Sequence, residues 1–307
     1  MSGERRPDFF IVGAPKCGTT AMAAYLRQHP EIFIPAAKEL FYFGSDLETW
    51  RRRPTRAEYL AAFAKAGGAR RAGEAFPGYL YSNVAPFEIL DFSPSADILI
   101  MLRDPVDMVQ SYHAQQLFMG LEDIEDLERA MAVEAQRAAG LRLPPGSPPA
   151  FWLQYSRIAR FADHVERYLH AFGKDHVHVV LYDDFRSDTA AAYGGVVRFL
   201  GCDPSYSPEF PVVNPRKGVR SAPLQRLVRN PPAVVRRIAR RFLPLDARVR
   251  SRQALYRLNT RRAEPAPISA AFREQLRTSF APDVRRLAGL IGRDLGRWLP
   301  QADVTGR

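Results

Sequence analysis

Short apolar runs alternate with longer amphipathic segments along most of this 307-residue chain. The runs have the length of buried strands, whereas the longer segments repeat apolar residues at helical spacing. The pattern predicts strands at Phe9–Val12, Arg71–Ala75, Ala96–Leu102 and His176–Leu181, with a short apolar piece at Ile32–Ile34. It predicts helices at Thr19–Gln28, Thr55–Ala66, Asn83–Phe92, 105–119, Glu122–Ala139, Tyr155–Phe172, Thr189–Leu200 and Ala270–Ile291.

This alternation of strands and helices is typical of an α/β fold with a central parallel sheet flanked by helices. Ligands of such folds bind at the carboxyl ends of the strands. Charged residues that directly follow strands should therefore line one edge of the sheet: Lys16, Glu74, Arg103 and Asp183. We expect a single domain over residues 1–307, with a basic helical C-terminal extension at about 216–307.

The loop between the first strand and the first helix has the composition of a P-loop-like phosphate-binding loop. Gly13 and Gly18 let the backbone bend and approach an anion closely. The start of the helix supplies unpaired N–H groups and the positive end of the helix dipole. Lys16 adds a full positive charge, and Thr19 and Thr20 add hydroxyl donors.

The loop departs from the Walker A motif, in which Lys immediately precedes Ser or Thr after the second Gly. Here Thr19 stands where that Lys should be, and Lys16 lies two residues ahead of Gly18. A P-loop kinase or NTPase stays an alternative, because Asp104 after an apolar strand resembles a Walker B site. Against it, Arg103 would place a cation where magnesium should bind.

The composition predicts a cytoplasmic protein. No apolar run approaches the roughly 20 residues of a membrane span, and the charged start leads directly into the first strand, without room for a signal peptide. Two cysteines, Cys17 and Cys202, are typical of a reducing compartment rather than a disulfide scaffold. Cys17 lies beside Lys16 at a helix start, where a thiol pKa can be lowered, although we interpret it as a small filler of the loop.

The positive charge is concentrated in one segment. Residues 216–262 contain fifteen Lys or Arg and one acid, Asp246, for a net charge of +14, so the rest of the +11 chain carries −3. The segment interleaves Arg with apolar residues, which favours peripheral contact with a membrane or polyanion as much as a solvated helical face. We expect no nucleic-acid partner, because no nucleic-acid fold signature accompanies it.

Two further basic groups suggest a second anion site. Arg103 follows the strand Ala96–Leu102, and Ser111 lies about two helical turns further on, so the two can face one anion. The run from Lys217 to Arg220 lies in an irregular stretch suited to wrapping a ligand. Two separated anion sites indicate a nucleotide with phosphates at both ends of a ribose.

Four segments together resemble the sulfotransferases that use 3′-phosphoadenosine 5′-phosphosulfate (PAPS). They are GAPKCGTTA at Gly13–Ala21, Lys38-Glu39 with Phe41-Tyr42-Phe43, LRDPVDMVQSY at 102–112 and the Lys217–Arg220 run. The bacterial enzymes related to heparan and other carbohydrate sulfotransferases are the most similar branch, and the resemblance covers most of residues 8–220. It implies transfer of a sulfonate group to a hydroxyl acceptor, a carbohydrate or other small bacterial metabolite, without a metal.

The resemblance also implies a role for each matching residue of the first loop. Lys16 would contact the 5′-phosphate and its bridging oxygen and stabilise the leaving group. The remaining residues of the loop would hold the 5′-phosphate: Cys17, Gly18, Thr19, Thr20 and Ala21.

The other matching residues would bind the far end of the nucleotide. Arg103 and Ser111 match the residues that bind the 3′-phosphate. Lys217, Gly218 and Arg220 match the loop that closes over the nucleotide.

Glu39 matches the catalytic base of the heparan branch, which takes the proton of the acceptor hydroxyl. A salt bridge with Lys38 is the alternative for Glu39, and His113 is an alternative base, although packing on its helix is the simpler interpretation. One departure concerns a Lys beside the glutamate that matches Glu74. This chain has Ala75 there, so a secondary cation near the sulfonate is missing or supplied elsewhere.

Overall fold

The computed structural model describes residues 5–37, 39–48, 52–144, 149–211, 213, 217–219, 258–262 and 266–301, with individual residues between 234 and 255. The chain forms two compact units. The first contains residues 1–108, 158–213 and 273–307, and the second contains residues 109–157 and 214–272. Most of the basic segment 216–262 lies outside the described residues.

A parallel sheet forms the centre of the first unit, as the apolar runs predicted. Its strands are β1 (Phe9–Gly13), β2 (Ile32–Phe33), β3 (Arg71–Ala75), β4 (Asp97–Leu102) and β5 (Val177–Leu181). In the described part of the chain these five strands lie in the order β2-β3-β1-β4-β5, and every pairing is parallel. The sequence-based α/β fold class is therefore confirmed, with β1 between β3 and β4.

The helices of the described residues follow the predicted order. They are α1 (Thr19–Leu26), α2 (Arg56–Ala61), α3 (Ala85–Phe92), α4 (Pro105–Met119), α5 (Leu127–Ala132), α6 (Glu134–Ala138), α7 (Tyr155–Ile158), α8 (Ala162–Phe172), α9 (Tyr182–Ser187), α10 (Thr189–Phe199) and α11 (Ala270–Ile291). Short 3₁₀ helices cover Pro77–Tyr81, Ala150–Leu153, Lys174–His176 and Gly296–Trp298. No helix among the described residues has both the length and the apolar character needed to cross a membrane.

The prediction of one helix over Glu122–Ala139 is wrong, because Glu122 uses its carboxylate to hold a turn. Its Oε1 accepts the backbone N–H of Asp123 at 2.8 Å and of Ile124 at 2.9 Å. The same carboxylate is paired with buried Arg137 at 2.7 Å and accepts the Tyr155 hydroxyl at 2.7 Å. The chain becomes helical only at α5 and α6, after this network.

The prediction of one helix over Tyr155–Phe172 is also wrong. The segment divides into α7 and α8. Asp283 of α11 accepts the N–H of Phe161 at 2.8 Å and that of Ala162 at 3.2 Å. Because this carboxylate caps the first turn of α8 from outside the segment, the new helix start has no signature in the local sequence.

Candidate active site

The loop between β1 and α1 is held tightly against its neighbours. The N–H of Ala14 donates to the carbonyl of Met101 on β4, with an N···O distance of 2.6 Å. A Cβ atom on Gly13 would lie 2.5 Å from Leu80, and one on Gly18 would lie 3.1 Å from the Phe185 ring. Gly13 is therefore required by space, whereas Gly18 is required mainly by its φ of 92°.

The start of α1 has the features of a phosphate cradle. Gly18 is the N-cap and has no side chain with which to cap the helix, and the first intrahelical bond runs from Met22 N to Gly18 O. The N–H groups of the first turn, from Thr19 to Ala21, have no intrahelical acceptor. Lys16, half-buried, lies in the same loop. These donors and this charge fit the 5′-phosphate end of a nucleotide.

Cys17 lies in the same loop as Lys16, and its thiol is close enough to Arg103 for that charge to affect it. Its side chain is fully buried, and its thiol lies 3.4 Å from the carbonyl of Pro15. Burial raises the pKa of the thiol to about 12, although the positive charges of Arg103 and Lys16 oppose the rise. The expectation of a lowered pKa is thus wrong, because the thiol has no contact with water. The thiol lies within the electrostatic reach of both Lys16 and Arg103.

Arg103 lies immediately after β4 and is almost completely buried. Its guanidinium carbon is 4.7 Å from the centre of the Tyr182 ring, and one nitrogen is 3.6 Å from a carboxylate oxygen of Asp107. Burial acts to raise the pKa of Asp107, but the hydrogen bond from Arg273 and the charge of Arg103 hold it below its usual value. Arg103 is thus fixed in orientation at the carboxyl end of the sheet.

Asp104 uses its carboxylate as a helix cap. The Oδ1 atom accepts the N–H of Val106 at 2.8 Å and of Asp107 at 3.3 Å, and Arg277 lies 3.7 Å from Oδ2. Burial raises the pKa of this carboxyl group. These contacts give Asp104 a structural role as a helix cap, which needs no magnesium ion. They therefore count against the Walker B interpretation.

A cleft of about 370 Å³ opens beside the caps of α4 and α9. It is lined by Asp104, Asp107, Asp183, Arg186, Ser187, Arg297 and Trp298. Asp183, expected at this edge, accepts the Trp298 indole N–H at 3.2 Å and is paired with Arg297 at 3.3 Å. The cleft therefore lies at the carboxyl ends of β4 and β5, where α/β folds bind their ligands.

Glu39 lies at the end of β3, the strand beside β1. Its N–H donates to the carbonyl of Ala75 at 3.2 Å, and its backbone adopts a left-handed φ of 62°. The side chain is half-buried. The hydrogen bond to Ala75 places the Glu39 backbone beside the carboxyl end of β3, and Lys16 follows the carboxyl end of β1, the neighbouring strand. Lys38, the alternative salt-bridge partner, lies outside the described residues.

Glu74 does not line the open edge of the sheet, contrary to the prediction. Its side chain is only 2% exposed and accepts hydrogen bonds from the hydroxyls of Tyr59 and Tyr79. Burial raises its pKa to about 7, more than these hydrogen bonds lower it. A strand pattern places the residue at the edge, but the hydroxyls of Tyr59 and Tyr79 decide which way its carboxylate points.

The remaining predicted residues belong to the second unit. Ser111 is buried on α4. His113 is buried too, and its Nε2 lies 2.9 Å from the carbonyl of Ile124, so it packs within its own unit. Lys217 and Gly218 lie on β6 (Lys217–Val219), which pairs antiparallel with β7 (Thr260–Arg262). Arg220 lies outside the described residues.

Three structural contributors to this site were not predicted from the sequence. Arg273 and Arg277 lie on α11 and bind Asp107 and Asp104. Their spacing of four residues on one helix face was the available signal. Phe185 of α9, which closes the space beside Gly18, carries no signal of its own.

Comparison with known proteins identifies similar sequences. A family model described as "Sulfotransferase domain" matches residues 6–214. Human heparan sulfate glucosamine 3-O-sulfotransferase 6 is 28% identical over 202 residues, which is 65% of this chain and 54% of that protein. Mouse bifunctional heparan sulfate N-deacetylase/N-sulfotransferase 4 is 26% identical over 227 residues, 69% of this chain and 24% of that protein. The chain thus spans about half, or less, of the curated relatives that it matches.

A solved structure covers almost the whole chain. The crystal structure of a sulfotransferase from Alicyclobacillus acidocaldarius aligns with a TM-score of 0.72 and 27% sequence identity. The alignment covers 96% of this chain and 99% of that protein. The similarity therefore extends to the fold of the chain.

Proposed function

This chain belongs to the sulfotransferase family, and from that premise we propose that it moves a sulfonate group from PAPS to a hydroxyl acceptor. The proposal rests on one structural observation above all. The Lys16 loop and Arg103 follow neighbouring parallel strands and are joined by the hydrogen bond from Ala14 to Met101. Two cationic centres on one sheet edge suit a nucleotide with two phosphate groups.

Each end of the nucleotide would have its own donors. The first turn of α1 and Lys16 would hold the 5′-phosphate, since backbone N–H groups and a helix start favour an anion. Arg103 would bind the 3′-phosphate, with Ser111, Lys217, Gly218 and Arg220 as further contacts. Arg103 is suited to this role because its planar fork can bind phosphate oxygens in pairs.

In the proposed reaction the protein contributes mainly electrostatic stabilisation. PAPS supplies the sulfonate group, and negative charge grows on the departing phosphate as the group leaves. Lys16 would neutralise that charge, and the fixed N–H groups of the loop would stabilise it without reorganisation. Glu39 would accept the proton of the attacking hydroxyl. These groups need no metal ion for the roles proposed.

The acceptor is proposed to be a carbohydrate hydroxyl. Similar proteins named above carry heparan sulfate in their names, and rat carbohydrate sulfotransferase 15 is 30% identical over 147 residues. The proposal for the acceptor rests on these similarities alone. A small bacterial metabolite with a hydroxyl group would meet the same chemical requirement.

Thermal unfolding with different nucleotides tests the proposal. Adenosine 3′,5′-bisphosphate should raise the Tm without metal, by about 5 °C at a hundredfold excess over its Kd. ATP, with or without magnesium, should raise it less. A larger shift with ATP and magnesium would support the kinase alternative, and no shift with any nucleotide would refute a nucleotide-dependent transfer.

A further inference from the structure

A closed polar cluster lies under the loop that carries Glu39, and the proposed transfer gives it no role. Its centre is the carboxylate of Glu74, which accepts the Tyr59 hydroxyl at 2.6 Å and the Tyr79 hydroxyl at 2.9 Å. The exposed fractions of the three side chains are 2%, 1% and 0%. Burying a carboxylate is costly, so its retention here calls for an explanation.

The cluster holds the loop through the backbone. The N–H of Leu40 is hydrogen-bonded to the Glu74 carboxylate. The hydroxyl oxygen of Tyr79 accepts the N–H of Tyr42 at 3.1 Å and that of Phe43 at 3.3 Å. Three N–H groups within four consecutive residues therefore donate hydrogen bonds to Glu74 or to Tyr79.

The loop needs this support because of its own conformation. Glu39 has a φ of 62° and Phe41 a φ of 59°, a left-handed conformation that is unfavourable for residues other than glycine. Such residues keep this conformation only where the surrounding structure imposes it. The hydrogen-bonded Leu40 lies between the two left-handed residues.

We infer that Glu74 and Tyr79 are positioning residues that hold the Glu39 loop in the conformation required for proton transfer. The inference rests on the proposed role of Glu39 as the base. Tyr59 has a supporting part, since it fixes the second oxygen of Glu74 and its ring stacks on Tyr42 with centroids 4.2 Å apart.

The charge state of Glu74 links this support to pH. Burial raises the pKa of Glu74 to about 7, and the ionised carboxylate is the better acceptor for its donors. The titratable groups that face it are Tyr59 of α2 and Tyr79 of the 3₁₀ helix. Tyr42 stacks on Tyr59, and Glu39 is adjacent to Leu40 in the loop. Burial raises the pKa values of Tyr59 and Tyr79 well above 10, so both stay neutral near pH 7.

Replacing Tyr79 by Phe tests the positioning role, with Tyr168→Phe as the matched control. Tyr168 is also fully buried, but its hydroxyl donates to the Tyr79 carbonyl at 2.9 Å and does not touch the loop. In Tyr79→Phe the N–H groups of Tyr42 and Phe43 lose their acceptor, so their hydrogen exchange should accelerate by about tenfold or more. The control should leave that exchange unchanged.

Measurements of kcat and of nucleotide affinity then distinguish a positioning role of Tyr79 from a role in folding, and from failure of the proposed function. Tyr79→Phe should lower kcat by about tenfold or more, with the Kd for adenosine 3′,5′-bisphosphate unchanged, whereas Tyr168→Phe should keep kcat. Equal exchange rates and equal kcat in the two variants would overturn the inference. Full turnover in Glu39→Gln, together with faster loop exchange in Tyr79→Phe, would instead refute the role of Glu39 and leave the support of the loop established.

Glu74→Gln provides a second test through the pH dependence of stability. The folded protein keeps a proton on Glu74 up to about pH 7, whereas an unfolded Glu releases it near pH 4.5, so wild-type stability falls as pH rises between these values. The Tm of the wild type minus that of Glu74→Gln should therefore decrease by several degrees from pH 5 to pH 8. A constant difference would show that Glu74 does not change charge in this range and would remove the link between pH and the loop.

Discussion

Ala14 donates its backbone N–H to the carbonyl of Met101 at 2.6 Å, and this bond fixes the phosphate loop to the strand that ends beside Arg103. Lys16 lies two residues after the donor, and Arg103 lies two residues after the acceptor. A shift of either strand end would move both cations together. The spacing of the two backbone positions that carry these cations is thus determined by the sheet.

Lys16→Ala should reduce transfer much more than nucleotide binding. The Lys16 charge is proposed to act where negative charge grows during the reaction, so its loss should lower kcat by about a hundredfold or more. The Kd for adenosine 3′,5′-bisphosphate should rise only a few fold, because the N–H groups of α1 remain. Release of the bisphosphate from PAPS with a carbohydrate mixture measures kcat. Lys174→Ala, an exposed residue at the opposite end of β5, is the control.

Glu39→Gln should remove the base while keeping the shape of the side chain. We expect kcat to fall by about a hundredfold or more, with little change in nucleotide affinity. Glu48→Gln, an exposed carboxylate of the same segment, should retain full activity. If Glu39→Gln keeps full turnover and His113→Gln loses it, the base is His113 instead.

Gly18→Ala should damage the loop and the stability of the fold. The left-handed backbone costs a residue with a Cβ atom about 1–2 kcal/mol, and that atom would lie 3.1 Å from the Phe185 ring. We expect a lower Tm and weaker binding of the bisphosphate. Gly289→Ala is a control for which the expected change in stability has the opposite sign. A Cβ atom at that glycine of α11 would meet nothing within 4 Å, so the change should stabilise the helix by about 0.5–1 kcal/mol. An equal fall in Tm for both variants would contradict the strain assigned to Gly18.

Both cysteine thiols should be unreactive in the folded protein. Burial raises the pKa of Cys17 to about 12 and that of Cys202 to about 11, and only the thiolate attacks an alkylating reagent. Alkylation by iodoacetamide at pH 8 should therefore be at least about a hundredfold slower than in denaturant. Rapid labelling of Cys17 in the folded state, located by peptide mass spectrometry, would show that the loop is open.

The apolar runs at Phe9–Val12 and Ala96–Leu102 were sufficient to predict β1 and β4 of the sheet, because strands buried on both faces are mostly apolar. All four predicted strands exist in the predicted order, but the helix Tyr182–Ser187 was not predicted. The glycines of the first loop were also informative, since a Cβ atom at Gly13 has no room and Gly18 has a left-handed φ. Such constraints act over a few residues and are visible in the local sequence.

The errors in the sheet edge and the helix boundaries involve tertiary contacts. Glu122 holds its turn with Arg137 and Tyr155, and α8 begins where Asp283 of α11 caps it. Glu74 turns away from the sheet edge because Tyr59 and Tyr79 bind it in the interior. Helical spacing alone contains none of this information, so the boundaries of these helices and the orientation of Glu74 could not be predicted.

The most direct test of a doubly phosphorylated donor is calorimetric titration with adenosine 3′,5′-bisphosphate and with adenosine 5′-monophosphate. The wild type should bind the bisphosphate about tenfold or more tightly than the monophosphate. Arg103→Ala should lose that preference, whereas Arg273→Ala, which removes another partner of Asp107, should keep it. Equal affinity of the wild type for both nucleotides, or an unchanged preference in Arg103→Ala, would contradict the account.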